Sequence, residues 1–152
     1  MRMDGSDADT IENSYVTLML ADQLCGLPVS SVRDILGAQP ITRIPLAPPD
    51  IAGSLNLRGR IVTSIDLRQR LGLPPAGDAQ GRMSVVAEHA GEQYALLVDD
   101  VDEVLTLPEG AMEPNPPTLP PPWSLFSRGV CRLEKRLLIL LDPGRLIHPE
   151  AR

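Results

Sequence analysis

The chain has 152 residues, which suits one domain of ordinary size or two very small ones that share a core. Its net charge of -6 and its 3% aromatic residues argue against a nucleic-acid-binding protein, which needs a basic surface or stacking side chains. The 16 prolines leave little room for long helices, because an interior proline breaks a helix. Since 43% of the residues are hydrophobic, the composition predicts a folded protein of many short β-strands.

The chain begins with a polar, acidic segment, and we interpret residues 1–13 as a flexible arm. This arm lacks the apolar core of a signal peptide, and the apolar run Leu137 to Leu141 is far too short to span a bilayer. Cys25 and Cys131 lie in apolar runs without metal-site or redox spacing, so we expect two buried free thiols. These features predict a cytoplasmic protein that does not insert into the membrane.

The first half is predicted to contain short strands, one helical turn and one short helix. In chain order these are strands 15–20 and 24–29, a helical turn over 30–36, strands 41–44, 51–57 and 61–65, and a helix that begins at Asp66. Gln69 occupies the capping-box position of that helix, and Gly72 is its stop signal. The stretch 73–81, with two prolines and two glycines, is the most linker-like part of the interior.

The second half has the same style of short strands and turns. In chain order we predict strands 83–88, 93–98, 101–105, 129–133 and 136–141, and a helix that starts at Asp142 and Pro143. The proline-rich segment 114–122 is either a polyproline ligand for an SH3-like partner or a rigid loop, and we favour the loop. Trp123 and Phe126, the only residues of their types, are expected to anchor it in an apolar groove.

An internal repeat relates the two halves. Residues 53–71 align with 129–147, 76 positions later, and residues 27–36 align with 96–105, 69 positions later. The repeat predicts two similar small β-barrels in pseudo-twofold relation, because internal duplication sets the architecture. We expect a single domain over 14–148, with barrels over roughly 14–72 and 82–148 whose boundaries can intertwine, and a tail over 149–152.

Catalytic patterns are absent from the sequence. His89 and His148 lie outside any triad or metal-binding pattern, so we expect both to be solvated. The acidic run 99–103 lacks the glycine and the alternating oxygen ligands of a calcium loop, and the chain has no phosphate-binding glycine motif. We therefore predict no enzyme activity, no metal and no cofactor. A small metal-dependent hydrolase using Asp66, Asp99 or Asp142 is a remote alternative, because helix capping already explains Asp66 and Asp142.

The most specific feature is the block GSLNLRG at 53–59, followed by IVTSIDLR at 61–68. It closely resembles the signature of the CheW family of chemotaxis coupling proteins, and the resemblance runs from about Tyr15 to Ile147. The resemblance implies an all-β fold of two small SH3-like five-stranded barrels with short helices. It also implies a non-enzymatic adaptor that couples the cytoplasmic tip of a chemoreceptor (a methyl-accepting chemotaxis protein) to the regulatory domain of a CheA-type histidine kinase. Such an adaptor joins membrane receptor arrays through its partners.

The resemblance also assigns candidate residues by position. Those matching family positions implicated in receptor coupling are Val32, Asp34, Gly53 and Arg58. Those belonging to the structural part of the signature are Asn56, Leu57, Gly59 and Asp66. Arg58 at a turn and Asp34 after a strand are expected to form a charge-assisted pair, which either fixes a receptor-docking surface or only stabilises the barrel.

Two further functions stay open. Glu113 is acidic and Thr118 is small where relatives have a basic and an aromatic residue that contact the kinase. This departure favours a CheW-like module of a divergent pathway, controlling surface motility or second-messenger synthesis, that does not form the usual kinase rings. A CheW-like domain of a larger regulator such as CheV is a related alternative.

Overall fold

The computed structural model describes residues 13–75 and 82–149. Most of the expected arm and tail (1–12 and 150–152) and part of the expected linker (76–81) lie outside the described residues. The described chain is mostly β, with strands β1 (Ser14–Leu20), β2 (Gln23–Pro28), β3 (Val32–Leu36), β4 (Ile51–Leu57), β5 (Arg60–Asp66), β6 (Met83–His89), β7 (Glu92–Val98), β8 (Asp100–Thr106), β9 (Ser127–Arg132) and β10 (Leu137–Leu141). Its short helices are α1 (Leu67–Arg70), α2 (Trp123–Phe126) and α3 (Pro143–Ile147), with a 3-10 turn over Val29–Ser31.

The strands form two five-stranded sheets, which confirms the expected all-β architecture. Sheet I has the order β8-β1-β2-β10-β9, and sheet II has the order β3-β6-β7-β5-β4. No ladder among the described strands joins the two edges of either sheet, so neither is a closed barrel by backbone pairing. One edge strand of each sheet makes a single bridge to a loop: Ser54 of β4 pairs with Thr42 in sheet II, and Val130 of β9 pairs with Glu113 in sheet I.

The two halves of the chain exchange strands. After the hairpin β1–β2 of sheet I, strand β3 crosses to pair with β6 in sheet II, and after β6–β7, strand β8 crosses to pair with β1. Hairpin β4–β5 then joins sheet II through the parallel pair β5–β7, and β9–β10 joins sheet I through the parallel pair β2–β10. The ranges 14–72 and 82–148 therefore each supply strands to both sheets.

The strand starts follow the repeat. β1 begins at Ser14 and β6 at Met83, 69 positions later, while α1 begins at Leu67 and α3 at Pro143, 76 positions later. Because these elements recur in the same order and make the same pairings, each element of sheet I has a counterpart in sheet II.

The largest core cluster is shared between the sheets. It combines side chains of β1 and β2 with those of β6 and β7, and it is closed by residues of α1 and α3. Both faces of β7 are buried, since Leu96 and Val98 enter the shared core while Ala95 and Leu97 enter a smaller cluster inside sheet II. Successive side chains of β7 point to opposite faces of the sheet, and both faces are buried. This explains why the sequence of β7 is a continuous apolar run.

Two expected elements differ in the structure. The segment 30–36 was expected to be a helical turn, but only Val29–Ser31 is helical and Val32–Leu36 is strand β3. Its antiparallel ladder to β6 overrides the local signal, and β-branched Val32 and Ile35 suit a strand. The expected strand 41–44 is reduced to the single bridge at Thr42, because Pro40 and Pro45 limit pairing on either side.

The loop before β9 is anchored as expected. Phe126 is buried in the shared core, and half-buried Trp123 packs against the same core. Both belong to α2, so the only tryptophan and phenylalanine tie the proline-rich segment to the centre of the molecule.

Candidate interaction site

The hairpin between β4 and β5 carries the most specific part of the sequence. Its two loop residues, Arg58 and Gly59, have φ values of +52° and +83°, as a tight type I′ turn requires. The side chain of Asn56 supports this turn, because its Oδ1 accepts a hydrogen bond from the Gly59 amide at 2.9 Å. The signature residues thus shape a turn that holds Arg58 outward.

Arg58 forms an ion pair with Asp34. Its Nη2 lies 2.8 Å from Asp34 Oδ2, with the Arg58 side chain 75% exposed and that of Asp34 24% exposed. The buried Oδ2 receives no well-directed N–H bond, so the contact is a close charge pair rather than an ideal hydrogen bond. The expected position of Asp34 after a strand is wrong, because Asp34 lies within β3. The predicted pair is therefore present, and it links the edge strand β3 of sheet II to the hairpin of the opposite edge.

The electrostatics of Asp34 follow from two partners. The Arg58 guanidinium, and then the Ile35 amide that donates to Asp34 Oδ1 at 2.9 Å, hold the pKa of Asp34 below its ordinary value. Asp34 is therefore a fixed anion near neutral pH. Since three quarters of the Arg58 side chain is exposed and a guanidinium has five N–H donors, Arg58 is available to a second acceptor.

Gly53 has a structural reason for being glycine. Its φ is +150°, and a Cβ placed there would lie 2.2 Å from the Thr42 carbonyl oxygen. The Thr42–Ser54 bridge, with N–O distances of 2.8 Å in both directions, requires this close approach. Val32 is half-buried against the shared core. Of the four residues expected at the receptor site, the described contacts unite Asp34 and Arg58.

Three large apolar side chains on β3, β5 and the loop before β4 are exposed, which the sequence did not predict. Ile35 on β3 is 41% exposed and Ile61 on β5 is 73% exposed. Leu46, at the tip of a loop and with φ of +65°, is fully exposed. The alternation within β3 and the hairpin register of β5 carry the only sequence signal for these exposures.

The candidate hydrolase carboxylates are occupied by structural contacts. Asp66 Oδ1 caps α1 by accepting from Arg68 N at 3.0 Å and Gln69 N at 3.4 Å, and its Oδ2 accepts from Arg82 Nη2 at 2.6 Å. Asp142 caps α3 in the same way.

Asp99 receives Arg68 Nε at 2.8 Å and Arg68 Nη2 at 2.6 Å, and this bidentate pair lowers the pKa of Asp99. Within 13–75 and 82–149, no three His, Cys, Asp or Glu side chains are grouped to hold a metal ion.

The two histidines contact other rings. The His148 ring centroid lies 5.9 Å from that of His89 and 5.8 Å from that of Tyr94. His89 is exposed but also lies against α3, where a Cβ on Gly144 would be 2.8 Å from His89 Cε1. The histidines thus pack α3 onto the β6–β7 hairpin.

Comparison with known proteins identifies relatives over nearly the whole chain. The family model described as the CheW-like domain matches residues 14–151. The probable chemotaxis protein CheW of Rhizobium etli is 31% identical over 131 residues, which cover 86% of this chain and 84% of that protein. The chemotaxis protein CheW of Rhizobium meliloti is 30% identical over 137 residues, covering 90% of this chain and 88% of that protein.

A solved structure has the same fold. The crystal structure of scaffolding protein TtCheW from Thermoanaerobacter tengcongensis superposes with a TM-score of 0.81 at 31% identity, covering 90% of this chain and 93% of that chain. In the part of the chain that the structure describes, no helix has the length and apolar character needed to cross a membrane.

Proposed function

This chain belongs to the CheW-like family, and we propose that it is a non-enzymatic chemotaxis adaptor that couples a chemoreceptor to a CheA-type histidine kinase. In this proposal it binds the cytoplasmic tip of a methyl-accepting chemotaxis protein and the regulatory domain of the kinase. It then acts in the cytoplasm at membrane receptor arrays, held there by its partners.

The observation that carries the receptor half of the proposal is the exposed Arg58–Asp34 pair. A guanidinium with three quarters of its side chain in solvent and one carboxylate already in place is pre-organised for a second acceptor on a partner. Ile35 on β3 and Ile61 on β5 are exposed apolar side chains of the same sheet. Arginine is enriched among interface hot-spot residues, which makes Arg58 the leading candidate on this sheet.

The alternative, a CheW-like module of a divergent pathway without the usual kinase rings, is favoured by one contact. Glu113 forms an exposed ion pair with Arg132 on sheet I at 3.1 Å, and Thr118 is exposed. A surface with this acidic and this small residue differs in charge and shape from one with a basic and an aromatic residue. Loss of kinase binding with intact receptor binding is the outcome expected of this alternative.

Calorimetry with the two isolated partners tests the proposal. We expect the full chain to bind a receptor cytoplasmic-tip fragment and a CheA regulatory domain, each with a dissociation constant in the micromolar range, about -8 kcal/mol. A folded chain that binds neither partner contradicts the adaptor proposal. A chain that binds the receptor and not the kinase supports the divergent module.

A further inference from the structure

A cleft of about 210 Å³ opens between β5 and β7 at one end of sheet II. The parallel ladder of these strands starts only at Thr63 and Tyr94, so the residues before them diverge. Ile61 and Glu92 lie on opposite walls of the cleft, and both are exposed. The cleft is thus the space left where two parallel strands separate.

The carbonyl of Ile61 faces this space. In an antiparallel hairpin the residues alternate between pairing with the partner strand and facing away from it. The two-residue loop makes Leu57 and Arg60 the closing pair, so the main-chain groups of Ile61 turn from β4 towards β7. Among the described residues no donor reaches the Ile61 carbonyl, because the ladder to β7 has not yet begun.

The equivalent place in sheet I is filled by a side chain. There the parallel strands β2 and β10 also diverge, and Leu137 stands where sheet II has Ile61, 76 positions earlier. Gln23 Nε2 donates to the Leu137 carbonyl at 2.8 Å and to the Leu24 carbonyl at 2.9 Å. The molecule therefore satisfies this carbonyl in sheet I with an N–H donor from its own chain.

Sheet II lacks that donor. Glu92 stands where sheet I has Gln23, 69 positions earlier, and a carboxylate only accepts hydrogen bonds. Glu92 Oε1 accepts from the Tyr94 hydroxyl at 2.7 Å, which holds the carboxylate at the cleft. The cleft thus places an anionic acceptor and a main-chain acceptor together, and no side chain of the described residues donates to that carbonyl.

We propose that this cleft binds an arginine side chain of a partner protein, whose guanidinium donates to the Ile61 carbonyl and to the Glu92 carboxylate. A guanidinium carries five N–H donors in a rigid fork, which suits two acceptors on facing walls. Its aliphatic stem would pack on the exposed Ile61 side chain. Arg60 also lines the cleft, and its positive charge weakens the attraction. This site does not depend on the receptor-coupling proposal.

Amide chemical shifts of the full-length protein, titrated with N-acetyl-arginine amide, test the proposal. We expect saturable shifts centred on Ile61, Thr63 and Gln93, with a dissociation constant of about 1–10 mM, as suits one charged group at an open site. The uncharged isostere N-acetyl-citrulline amide should bind at least about fivefold more weakly, a difference of about 1 kcal/mol. Shifts spread over the acidic surface, or equal binding of citrulline, overturn the proposal.

Matched substitutions locate the site. Glu92→Gln should reduce arginine affinity at least about fivefold, because the new amide donates to Ile61 as Gln23 does to Leu137. Glu109→Gln, an exposed carboxylate far from the cleft in sequence, should leave it unchanged, and Arg60→Gln should increase it. Gln23→Glu should create a second set of arginine-dependent shifts at Leu24 and Leu137. Unchanged binding by Glu92→Gln, or no second set in Gln23→Glu, contradicts the proposal.

Discussion

Sheets I and II are built from the same succession of elements, yet they differ in charge at equivalent positions. Both contain a glycine against a loop carbonyl (Gly129 and Gly53) and an aspartate that caps a short helix (Asp142 and Asp66). The Asp34–Arg58 pair of sheet II has no counterpart, because the equivalent residues in sheet I are Glu103 and Glu134.

This difference distinguishes residues that the fold requires from residues that are available for partner binding. Features present in both sheets are imposed by backbone geometry, since each loop bridge and each helix start poses the same physical problem. Two glutamates cannot form the pair that Arg58 and Asp34 form, so this charge arrangement is not required to build such a sheet. Sheet II therefore carries the better candidates for partner binding.

The largest effect should come from Asp66, and it should exceed that of the equivalent helix cap Asp142. Asp66→Ala removes both the cap of α1 and the ion partner of Arg82, whose side chain is only 9% exposed, so we expect a loss of about 3–5 kcal/mol in unfolding free energy. Asp142→Ala removes a cap whose ion partner Arg145 is exposed, and should cost about 1 kcal/mol. Urea denaturation measures both values, and equal losses would contradict this difference.

The paired glycines should differ less. A Cβ at Gly53 would lie 2.2 Å from the Thr42 carbonyl oxygen, whereas a Cβ at Gly129 would lie 2.8 Å from the Glu113 oxygen and from the flexible Met112 side chain. We expect Gly53→Ala to cost about 2–3 kcal/mol and Gly129→Ala about 1–2 kcal/mol, by strain at positive φ and by displacement of the loop. Thermal unfolding of the two variants is the measurement. The reverse order would show that the loop beside Gly53 yields more easily.

The Arg68–Asp99 pair should make the free energy of unfolding depend on pH in the acid range. The residues equivalent to Arg68 and Asp99 in the repeat are Gly144 and Ser30, so α3 has no counterpart of the ion pair that holds α1. Because Arg68 lowers the pKa of Asp99, the contribution is fully present above the unfolded carboxyl pKa of about 3.9 and is lost as pH falls through the lower folded value. Arg68→Gln should cost about 1–2 kcal/mol at pH 7 and less below pH 3. Denaturation at both pH values checks this, and a pH-independent cost would contradict it.

The sequence predicts much of what the two sheets share and how they differ, but it does not predict which strands cross from one sheet to the other. The repeat offsets predicted the order of the elements, and the signature block led to the Arg58–Asp34 pair. The sequence allows intertwined boundaries but does not identify β3 and β8 as the strands that cross over, because either pairing buries the same alternating apolar residues. The sequence also does not predict the cleft. Glu92 and Gln23 differ in whether they can donate a hydrogen bond to a nearby carbonyl, and only the register of the parallel strands shows which carbonyl each residue faces.

The central proposal is that Arg58, in the β4–β5 turn of sheet II, binds the chemoreceptor. The most direct test is the affinity of a receptor cytoplasmic-tip fragment, measured by calorimetry, for the wild-type chain, Arg58→Ala and the control Arg128→Ala, an exposed arginine on β9 of sheet I. We expect Arg58→Ala to weaken binding about tenfold, or 1.4 kcal/mol, with little change in unfolding free energy, and Arg128→Ala to bind like the wild type. Unchanged affinity in a folded Arg58→Ala, or an equal loss in Arg128→Ala, would contradict the claim.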